Sequence, residues 1–456
     1  MKRAALVLAI LASAGCADIR EARKAQNPDN RRPGERTVSP EEAGLGAGST
    51  LTVDRGVSIT LLHNPAIAAS KARVEQASAN LEQVIAGFLP TISFSADYRW
   101  DRAAGAGTRR PTGSTIGNTR IEQSHAGSLR LSQLLFDFGK LDAQRRQAYS
   151  NFVAAQADLV STENDSIFNF RSSFFGVLKQ EELVRVGEET VRQFEKRLEQ
   201  VRGFVEVGTR QKYDLTKAQV DLGNAQLALI RARTALSVAR ATLNTSLGLA
   251  SDPPYGLDRP AAAGSWTMSF EEAVETARQY HPGLQGLLLR ENAARASIDA
   301  AVADFYPQIT LSAGLSWSGS LTPVNWLAFL GPALDWVIFS GWEKTGALHG
   351  AVAELRATYA NRAQEEQLIY LDLRRGYAGL EDTRESLKVA SLTVKQAEET
   401  LILVTGRFDV QKASSVDLTD AQVQLANARA AEIQARYDFE ISIAAIERSV
   451  GGNRKP

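Results

Sequence analysis

Residues 88–100 read FLPTISFSADYRW, and residues 305–317 read FYPQITLSAGLSW. The two stretches lie 217 positions apart, and the pair Asp214 and Leu215 recurs as Asp417 and Leu418 at a spacing of 203. The chain therefore consists of two copies of one unit, and the second copy is 14 residues shorter between these landmarks. The length of the chain alone would suggest roughly three domains, but the duplication indicates two repeats of one unit.

Both stretches carry the pattern of a β-strand after their proline. Apolar and polar residues alternate over ten residues, and each run ends in a tryptophan, Trp100 or Trp317. An ordinary half-buried strand also alternates, but the length fits the ~9 to 11 residues that a strand needs to cross a bilayer. With the return strands that follow, we predict membrane β-hairpins at about 91–136 and about 308–339.

Each predicted β-hairpin is followed by a long helical hairpin. Apolar residues three, four or seven positions apart form a coiled-coil seam, and the residues 203 positions later are also apolar. The seam of the first copy comprises Phe170, Phe174, Val177, Val184, Val191, Phe194, Leu198 and Val201. The helix from Lys140 to Val201 would be ~90 Å long at 1.5 Å per residue. We predict the helical tips at about 203–214 and 406–417.

The predicted organisation has six segments. The repeats occupy residues 51–249 and 269–450, with an inter-repeat linker at 250–268 and a C-terminal tail at 451–456. The N-terminus is divided as follows: residues 1–16 form a lipoprotein-type signal peptide and residues 17–50 form a tether. Cys16 is the predicted lipidation site, and the alternative is an inert residue that is removed with the signal.

The composition limits the possible partners and the mode of membrane crossing. Lys plus Arg and Asp plus Glu both number 52, so the net charge does not favour nucleic acid as a partner. No stretch of 18 apolar residues follows the signal, so we expect any crossing to be by strands. Four strands cannot close a barrel, and an open edge is not tolerated in lipid, so identical neighbours must complete a water-filled pore.

With these features, the chain resembles the outer-membrane efflux protein family, the TolC-like channels, from about residue 50 to residue 450. The resemblance rests on the two strand entries at Pro90 and Pro307, the FDFG exit at 136–139, and the motif VGTRQKYDLTKAQ at 207–219. It implies a mixed α/β membrane protein, a homotrimer with one 12-stranded outer-membrane β-barrel and one periplasmic α-barrel. The implied function is the exit duct of a tripartite efflux system for drugs and toxic compounds, a passive pore gated at its helical tips. The implied partners are a periplasmic adaptor and a proton-driven or ATP-driven inner-membrane transporter.

The resemblance also implies the site residues. Asp417 and Asp420 align with the acidic positions that ring the family's entrance, where a trimer would place six carboxylates that attract cations. Alternatively, Asp417 only favours the first turn of a helix that Ser414 or Ser415 caps. Asp214 matches a position that the family uses to hold the entrance shut, and its usual basic partner would fall at Ala413, next to Lys412. The implied adaptor-docking residues at the two tips are Val207, Gly208, Thr209, Arg210, Val410, Gln411 and Lys412, with Gln411 where the first tip has Gly208.

The sequence gives less support to other classes of function. The four histidines lack metal-ligand spacing, and His63 and His281 lie beside prolines, which is typical of helix boundaries. We therefore predict no enzymatic activity, no cofactor and no metal. The duct of a type I protein secretion system is an alternative in the same class. A lipid-anchored periplasmic coiled-coil protein without a pore is the alternative in a different class, and the two alternating runs argue against it.

Overall fold

The computed structural model describes residues 45–46, 48–104, 119–249, 251–259, 265–319, 325–410 and 412–452. The predicted signal peptide with Cys16, most of the predicted tether and tail, and Gln411 lie outside the described residues.

The two copies have matching elements. The first copy contains strand β1 (Thr50–Leu51), helices α1 (Val53–His63) and α2 (Pro65–Ala86), strands β2 (Thr91–Ala104) and β3 (Thr119–Phe136), and helices α3 (Lys140–Glu206) and α4 (Lys212–Leu247). After strand β4 (Gly256–Leu257), the second copy contains helices α5 (Phe270–Tyr280) and α6 (Pro282–Ala303), strands β5 (Gln308–Gly319) and β6 (Asn325–Asp335), and helices α7 (Glu343–Asp409) and α8 (Ser415–Val450). Corresponding helices have equal lengths of 11, 22, 67 and 36 residues. The difference in length between the copies therefore lies in the β-hairpins.

None of the described helices has both the length and the apolar character that crossing a bilayer requires.

In each copy, the end of the last helix packs against the proline kink between the first two helices. Helix α1 ends at His63, His281 precedes the proline that opens α6, and the predicted helix-boundary role of both histidines is confirmed. The glycines after α4 and α8 have positive φ, 81° at Gly248 and 111° at Gly451. A Cβ at Gly248 would lie 2.5 Å from the carbonyl oxygen of His63, and one at Gly451 would lie 3.1 Å from the Cα of His281. Glycine therefore permits both the turn and the close approach.

Contacts divide the chain into two compact units. Among the described residues, unit 1 comprises 45–68, Glu163–Thr267 and Arg375–Arg448. Its core centres on a cluster of aromatic and aliphatic side chains on α3, packed against the end of α4 and the middle of α8. The buried members of that cluster are Leu45, Leu51, Ile59, Phe170, Phe174, Phe175, Val177, Leu178, Leu243, Leu247, Leu249, Tyr255, Ile433 and Tyr437.

The inter-repeat linker takes part in this core. Strand β4 of the linker pairs in parallel with β1, and the Tyr255 side chain is buried. The Tyr255 hydroxyl donates a hydrogen bond to Asn244 Oδ1 at 2.6 Å, and the Asn244 amide donates to Asp252 at 2.9 Å. Burial, with the nearby Asp252 carboxylate, raises the pKa of Tyr255 to about 12, so the phenol remains a donor at neutral pH. The linker is thus part of the folded unit 1.

Unit 2 comprises Ala69–Thr162, Met268–Arg374 and Ser449–Pro456, and it contains an antiparallel sheet in the order β2–β3–β5–β6. Because residues paired across an antiparallel ladder share a face, the register separates two sets of side chains. One face is mostly apolar and includes Ile92, Phe94, Tyr98, Leu129, Leu131, Leu311, Leu315, Trp317, Trp326, Leu330 and Leu334. The other face is largely polar and includes Ser93, Ser95, Ser128, Arg130, Ser132, Thr310, Ser312 and Ser316.

The apolar face of the sheet is bare. Phe94 and Tyr98 on β2 are 63% and 65% exposed, and Trp326 and Leu330 on β6 are 74% and 75% exposed. Exposed apolar areas of this kind mark a surface that something outside the protomer covers. Strands β2 and β6 are the two edges of the sheet.

Strand β6 is shorter than the sequence predicts. It ends at Asp335, whereas the alternation predicts a strand to about residue 339. The Trp336 indole donates a hydrogen bond to the carbonyl oxygen of Phe305 at 3.1 Å, and the Lys344 ammonium donates to that of Val337 at 3.0 Å. These bonds draw the backbone after Asp335 toward the helices, so it leaves the ladder before the apolar run is over.

Candidate functional site at the helical tips

The tip of the first copy is a tight turn between α3 and α4. Gly208 has a φ of 74°, and the amides of Thr209 and Arg210 donate to the carbonyl oxygen of Phe204 at 2.9 and 3.3 Å. The Thr209 hydroxyl donates to the same oxygen at 2.8 Å. The turn closes the end of α3, while the Val207 side chain is exposed. The docking role of these tip residues stays a prediction.

The tip of the second copy differs from the first. Helix α7 ends at Asp409, Val410 is exposed, and the Lys412 amide donates to the carbonyl oxygen of Arg407 at 2.7 Å. The predicted docking roles of Val410 and Lys412 stay predictions.

Asp417 closes the start of α8 as a capping residue. Its carboxylate accepts a hydrogen bond from the Ser414 amide at 2.8 Å, and its own amide donates to the Ser414 hydroxyl at 3.1 Å. Of the two serines that the sequence offered as caps, Ser414 is therefore the one used. The Ser414 amide first, and its hydroxyl second, hold the pKa of the Asp417 carboxyl below its usual range.

Asp420 lies one turn further along α8 and is exposed. Within the described ranges, no side chain or amide forms a hydrogen bond or ion pair with its carboxylate. Residues three apart on a helix are surface neighbours, so Asp417 and Asp420 present two carboxylates at one end of α8. One of the two is engaged in capping, and the other is available to solvent.

Asp214 reaches the same helix start from the other copy. Its carboxylate accepts a hydrogen bond from the Ser415 hydroxyl at 2.9 Å. Further along α4, the Asp221 carboxylate accepts a hydrogen bond from the Thr419 hydroxyl at 3.3 Å and pairs with the Lys217 ammonium at 3.1 Å. The partner of Asp214 within the protomer is thus a neutral hydroxyl at position 415, and the three predicted aspartates meet around the first turns of α4 and α8.

A second contact joins the tips, and sequence reasoning missed it. The Arg197 guanidinium carbon lies 3.9 Å from the centre of the Phe408 ring, and that of Arg210 lies 5.0 Å from it. Arg197, on α3, is only 4% exposed. Stacking of two cations on one ring links the first tip to the last turn of α7. The available signal was the spacing, since Arg197 follows the seam residue Phe194 by three positions.

No three His, Cys, Asp or Glu side chains in the described parts of the chain gather into a group that could hold a metal ion. The arrangement at the tips offers carboxylates, hydroxyls and stacked guanidinium groups.

The sequence pattern of the outer membrane efflux protein family matches residues 56–249 and 273–452. The chain belongs to the outer membrane efflux protein family. The toluene efflux pump outer membrane protein TtgC of Pseudomonas putida is 22% identical over 412 residues, which cover 86% of this chain and 84% of TtgC. The outer membrane protein TolC of Vibrio cholerae is 23% identical over 375 residues, which cover 80% of this chain and 82% of TolC.

A solved structure shows the same fold. The CmeC outer membrane channel of Campylobacter jejuni superposes with a TM-score of 0.79 at 18% identity, over 88% of this chain and 86% of CmeC. Together with the family match, these findings confirm the predicted family, the outer-membrane location and the function in efflux.

Proposed function

We propose that three copies of this chain form the outer-membrane exit duct of a tripartite efflux pump, with twelve strands in one β-barrel and the helical hairpins in one periplasmic α-barrel. The bare apolar face of the four-stranded sheet is the observation that carries this proposal. In lipid, every backbone N–H and C=O needs a partner, so the edge strands β2 and β6 require strands from other copies. Four strands are too few to close a barrel, and three copies would supply twelve.

The two faces of the sheet support an inside and an outside. Apolar side chains on one face suit hydrocarbon, and serine, threonine and arginine side chains on the other suit a water-filled lumen. On the polar face, Ser95 and Ser128 hydrogen-bond each other across the ladder at 2.8 Å. Neither face needs a covering helix in this arrangement.

Exposed apolar side chains on the helices support further contacts between copies. Large apolar side chains that are more than half exposed recur along α4 and α7. They are Val220, Leu227, Ile230 and Val238 on α4, and Val389, Leu392, Ile402 and Leu403 on α7. We propose that these residues pack against neighbouring protomers, as a closed ring of helices requires.

The tips are the proposed entrance. In a trimer, Asp417 and Asp420 would form a ring of six carboxylates, and the exposed side chains of Val207 and Val410 would face a periplasmic adaptor. The adaptor would connect this duct to an inner-membrane transporter. The proposed cargo is small molecules, moved passively and without chemistry by the duct. Lipidation of Cys16 remains part of the proposal, as an additional anchor.

A pair of charge substitutions tests the duct. Leu330→Asp places a carboxylate on the apolar face at the middle of β6. An Arg or Lys costs about 2–4 kcal/mol at the midplane of a bilayer and an Asp somewhat less, and a trimer would carry the cost three times. The Ser312→Asp control places the same group on the polar face of the adjacent strand β5. We expect Leu330→Asp to abolish the assembled form in the outer-membrane fraction, seen as a heat-dissociable oligomer on gels. Ser312→Asp should assemble and conduct in planar bilayers.

The proposal fails if Leu330→Asp assembles and conducts like the unmodified chain while Ser312→Asp does not. It also fails if the unmodified, purified chain neither oligomerises nor conducts.

A further inference from the structure

The segment from Trp336 to Trp342, between β6 and α7, is an apolar loop that we name the second exit loop. Its large side chains are at least half exposed, and the values reach 80% at Ile338, 73% at Phe339 and 74% at Trp342. The backbone is held by the bonds from Trp336 to Phe305 and from Lys344 to Val337 described above. These bonds hold the backbone of the loop against the helices, while its large apolar side chains are exposed.

The first copy has no equivalent of its tryptophans. At the spacing of 203, the second exit loop corresponds to residues 133–139. Apolar residues occupy the middle of both loops, but Trp336 stands where the first copy has Gln133, and Trp342 stands where it has Gly139. Two of the six tryptophans of the chain are therefore additions that are specific to one copy.

Trp342 occupies a backbone conformation that favours glycine. Its φ is 71°, and the corresponding Gly139 has a φ of 87°. A bulky residue in this region is an outlier that persists only where other interactions compensate. Phe138, the other non-glycine residue with positive φ in the described ranges, stacks on Tyr306 at a centroid distance of 5.0 Å. The Trp342 ring approaches that of Phe339 edge-on at 6.2 Å, and Phe339 is itself exposed. The Trp342 carbonyl oxygen accepts a hydrogen bond from the Gly346 amide at 2.9 Å.

The start of α7 therefore holds the Trp342 backbone, while the Trp342 ring, 74% exposed, is left to a surface outside the protomer. Strand β6 has 11 residues, about the number that crosses the hydrocarbon of a bilayer, so the residues that follow it fall at the lipid–water boundary. Tryptophan is the side chain enriched at that boundary, because its ring is apolar and its N–H needs a polar partner.

We infer that the second exit loop is a lipid-binding surface that inserts Trp342, Phe339 and Ile338 among the phospholipids of the inner leaflet at the helical end of the sheet. This inference rests on the proposed function, because it requires that the sheet crosses the membrane. Three such loops then surround the assembled duct at this boundary.

Depth-dependent quenching of single tryptophans tests the inference. Five of the six tryptophans are changed to Phe, and the trimer is reconstituted in vesicles of phosphatidylcholine brominated either near the headgroup or near the end of the acyl chain. With Trp342 alone, we expect shallow bromines to quench at least about twofold more than deep ones, with little quenching by aqueous iodide. Trp317, on the apolar face of β5, reports insertion of the sheet. Trp266, in unit 1 and hydrogen-bonded to Tyr377 at 2.8 Å, is the control outside the lipid.

The outcomes separate the two proposals. Quenching of Trp317 by bromolipid, with Trp342 open to iodide, overturns the loop inference and leaves the duct in place. Protection of Trp342 from both quenchers means that a neighbouring copy covers it, which also overturns the inference. Absence of lipid quenching at Trp317 overturns the proposed duct itself. If the five substitutions prevent assembly, Trp342→Phe in the otherwise unmodified chain should reduce shallow quenching by the share that Trp342 contributes beside the other five tryptophans, and unchanged shallow quenching contradicts the inference.

Discussion

The seam inside each helical hairpin and the seam between the two copies are built from different interactions. Inside the hairpins, buried apolar clusters join the helices: Val191, Phe194, Ala225 and Leu229 in the first copy, and Val394, Leu425 and Ala428 in the second. Between the copies, Ile433 and Tyr437 of α8 join the buried core on α3, and Lys179 pairs with Asp438 beside that core at 3.0 Å. Nearer the tips the contacts are polar, and Glu189 pairs with Arg429 at 2.9 Å. At the tips, the hydrogen bond from Ser415 to Asp214 and the packing of the Arg197 guanidinium on the Phe408 ring also join the copies.

This difference indicates which contacts an opening motion can break. Separating an apolar cluster exposes its surface to water, which costs about 25 cal/mol per Å² of apolar area. Partly exposed ion pairs each contribute only about 0.2–1 kcal/mol, because water and salt replace the partner. We therefore expect each helical hairpin to stay intact as it moves, the buried core between α3 and α8 to stay in place, and the polar contacts between the copies nearer the tips to break and reform.

The largest expected effect comes from the apolar seam. Phe194→Ala removes a ring that is 4% exposed between α3 and α4, and truncations of this kind cost about 3–5 kcal/mol. We expect a lower midpoint of urea unfolding, followed by circular dichroism of the purified protein, and faster proteolysis of the first tip. The neighbouring Glu195 is exposed, so Glu195→Ala should stay within about 0.5 kcal/mol of the unmodified chain.

An equal loss in both variants would contradict the comparison, because the seam would then contribute no more than the surface. The corresponding position in the second copy is Ala397, which packs against the smaller cluster of that hairpin. The first hairpin should therefore be the more sensitive of the two to truncation.

Local and periodic features of the fold were predictable from the sequence. The alternating strands after Pro90 and Pro307 and the helix boundaries at His63 and His281 depend on residues close in the chain, so the sequence pattern predicts them. The duplication is found by comparing the two stretches directly. The role of Asp417 in the first turn of α8 was foreseen for the same reason, since Ser414 lies three residues before it. The end of β6 at Asp335 was not foreseen, because the apolar pattern continues after the ladder has ended.

Contacts between distant segments were not predictable from one sequence. Nothing in the local pattern identifies Ser415 as the partner of Asp214, because the two residues are 201 positions apart. Stacking of Arg197 and Arg210 on Phe408 likewise depends on the arrangement of three helix ends. Tyr255 lies in a proline-rich linker, and its burial follows from pairing of β4 with β1, which is not encoded by any spacing within the linker.

A smaller effect is expected from the polar contacts between the two copies. Arg429 contacts one glutamate of each copy, so the two glutamates can be compared as test and control. The Arg429 guanidinium contacts Glu189 of the first copy and Glu398 of its own hairpin, both at 2.9 Å. We expect Glu189→Gln to increase the open fraction of the channel in planar bilayers several-fold at most, since one partly exposed pair is worth less than about 1 kcal/mol. Glu398→Gln should leave gating unchanged, because it breaks a bond within one moving body.

Salt sharpens this second test. Raising the ionic strength from about 0.1 to 1 M shortens the Debye length from about 10 to 3 Å, so the unmodified channel should move toward the behaviour of Glu189→Gln. Identical gating in the two glutamine variants would show that the polar contacts between the two copies are not the ones that open.

The smallest expected effect concerns the two aspartates at the start of α8. Asp420→Asn should weaken the cation preference of the open channel, measured as a reversal potential in a salt gradient, without changing the helix start. The three remaining Asp417 carboxylates would carry the residual preference. Hydrogen bonds from Ser414 lower the pKa of Asp417, so its charge and its capping contribution are both complete above the ordinary aspartate pKa of about 3.9. Both are lost only as the pH falls through the lower, folded-state pKa.

In the Asp420→Asn channel, the residual preference should therefore survive as the pH is lowered past about 4. Adding Ser414→Ala removes the hydroxyl contribution to the low pKa, so the preference should disappear at a higher pH than with Ser414 present. Asp417→Asn provides the complementary channel, since the asparagine side chain keeps an acceptor for the Ser414 amide but carries no charge. If Asp417→Asn and Asp420→Asn both leave the reversal potential unchanged, the aspartates at this helix start serve capping alone, and the carboxylate ring does not select ions.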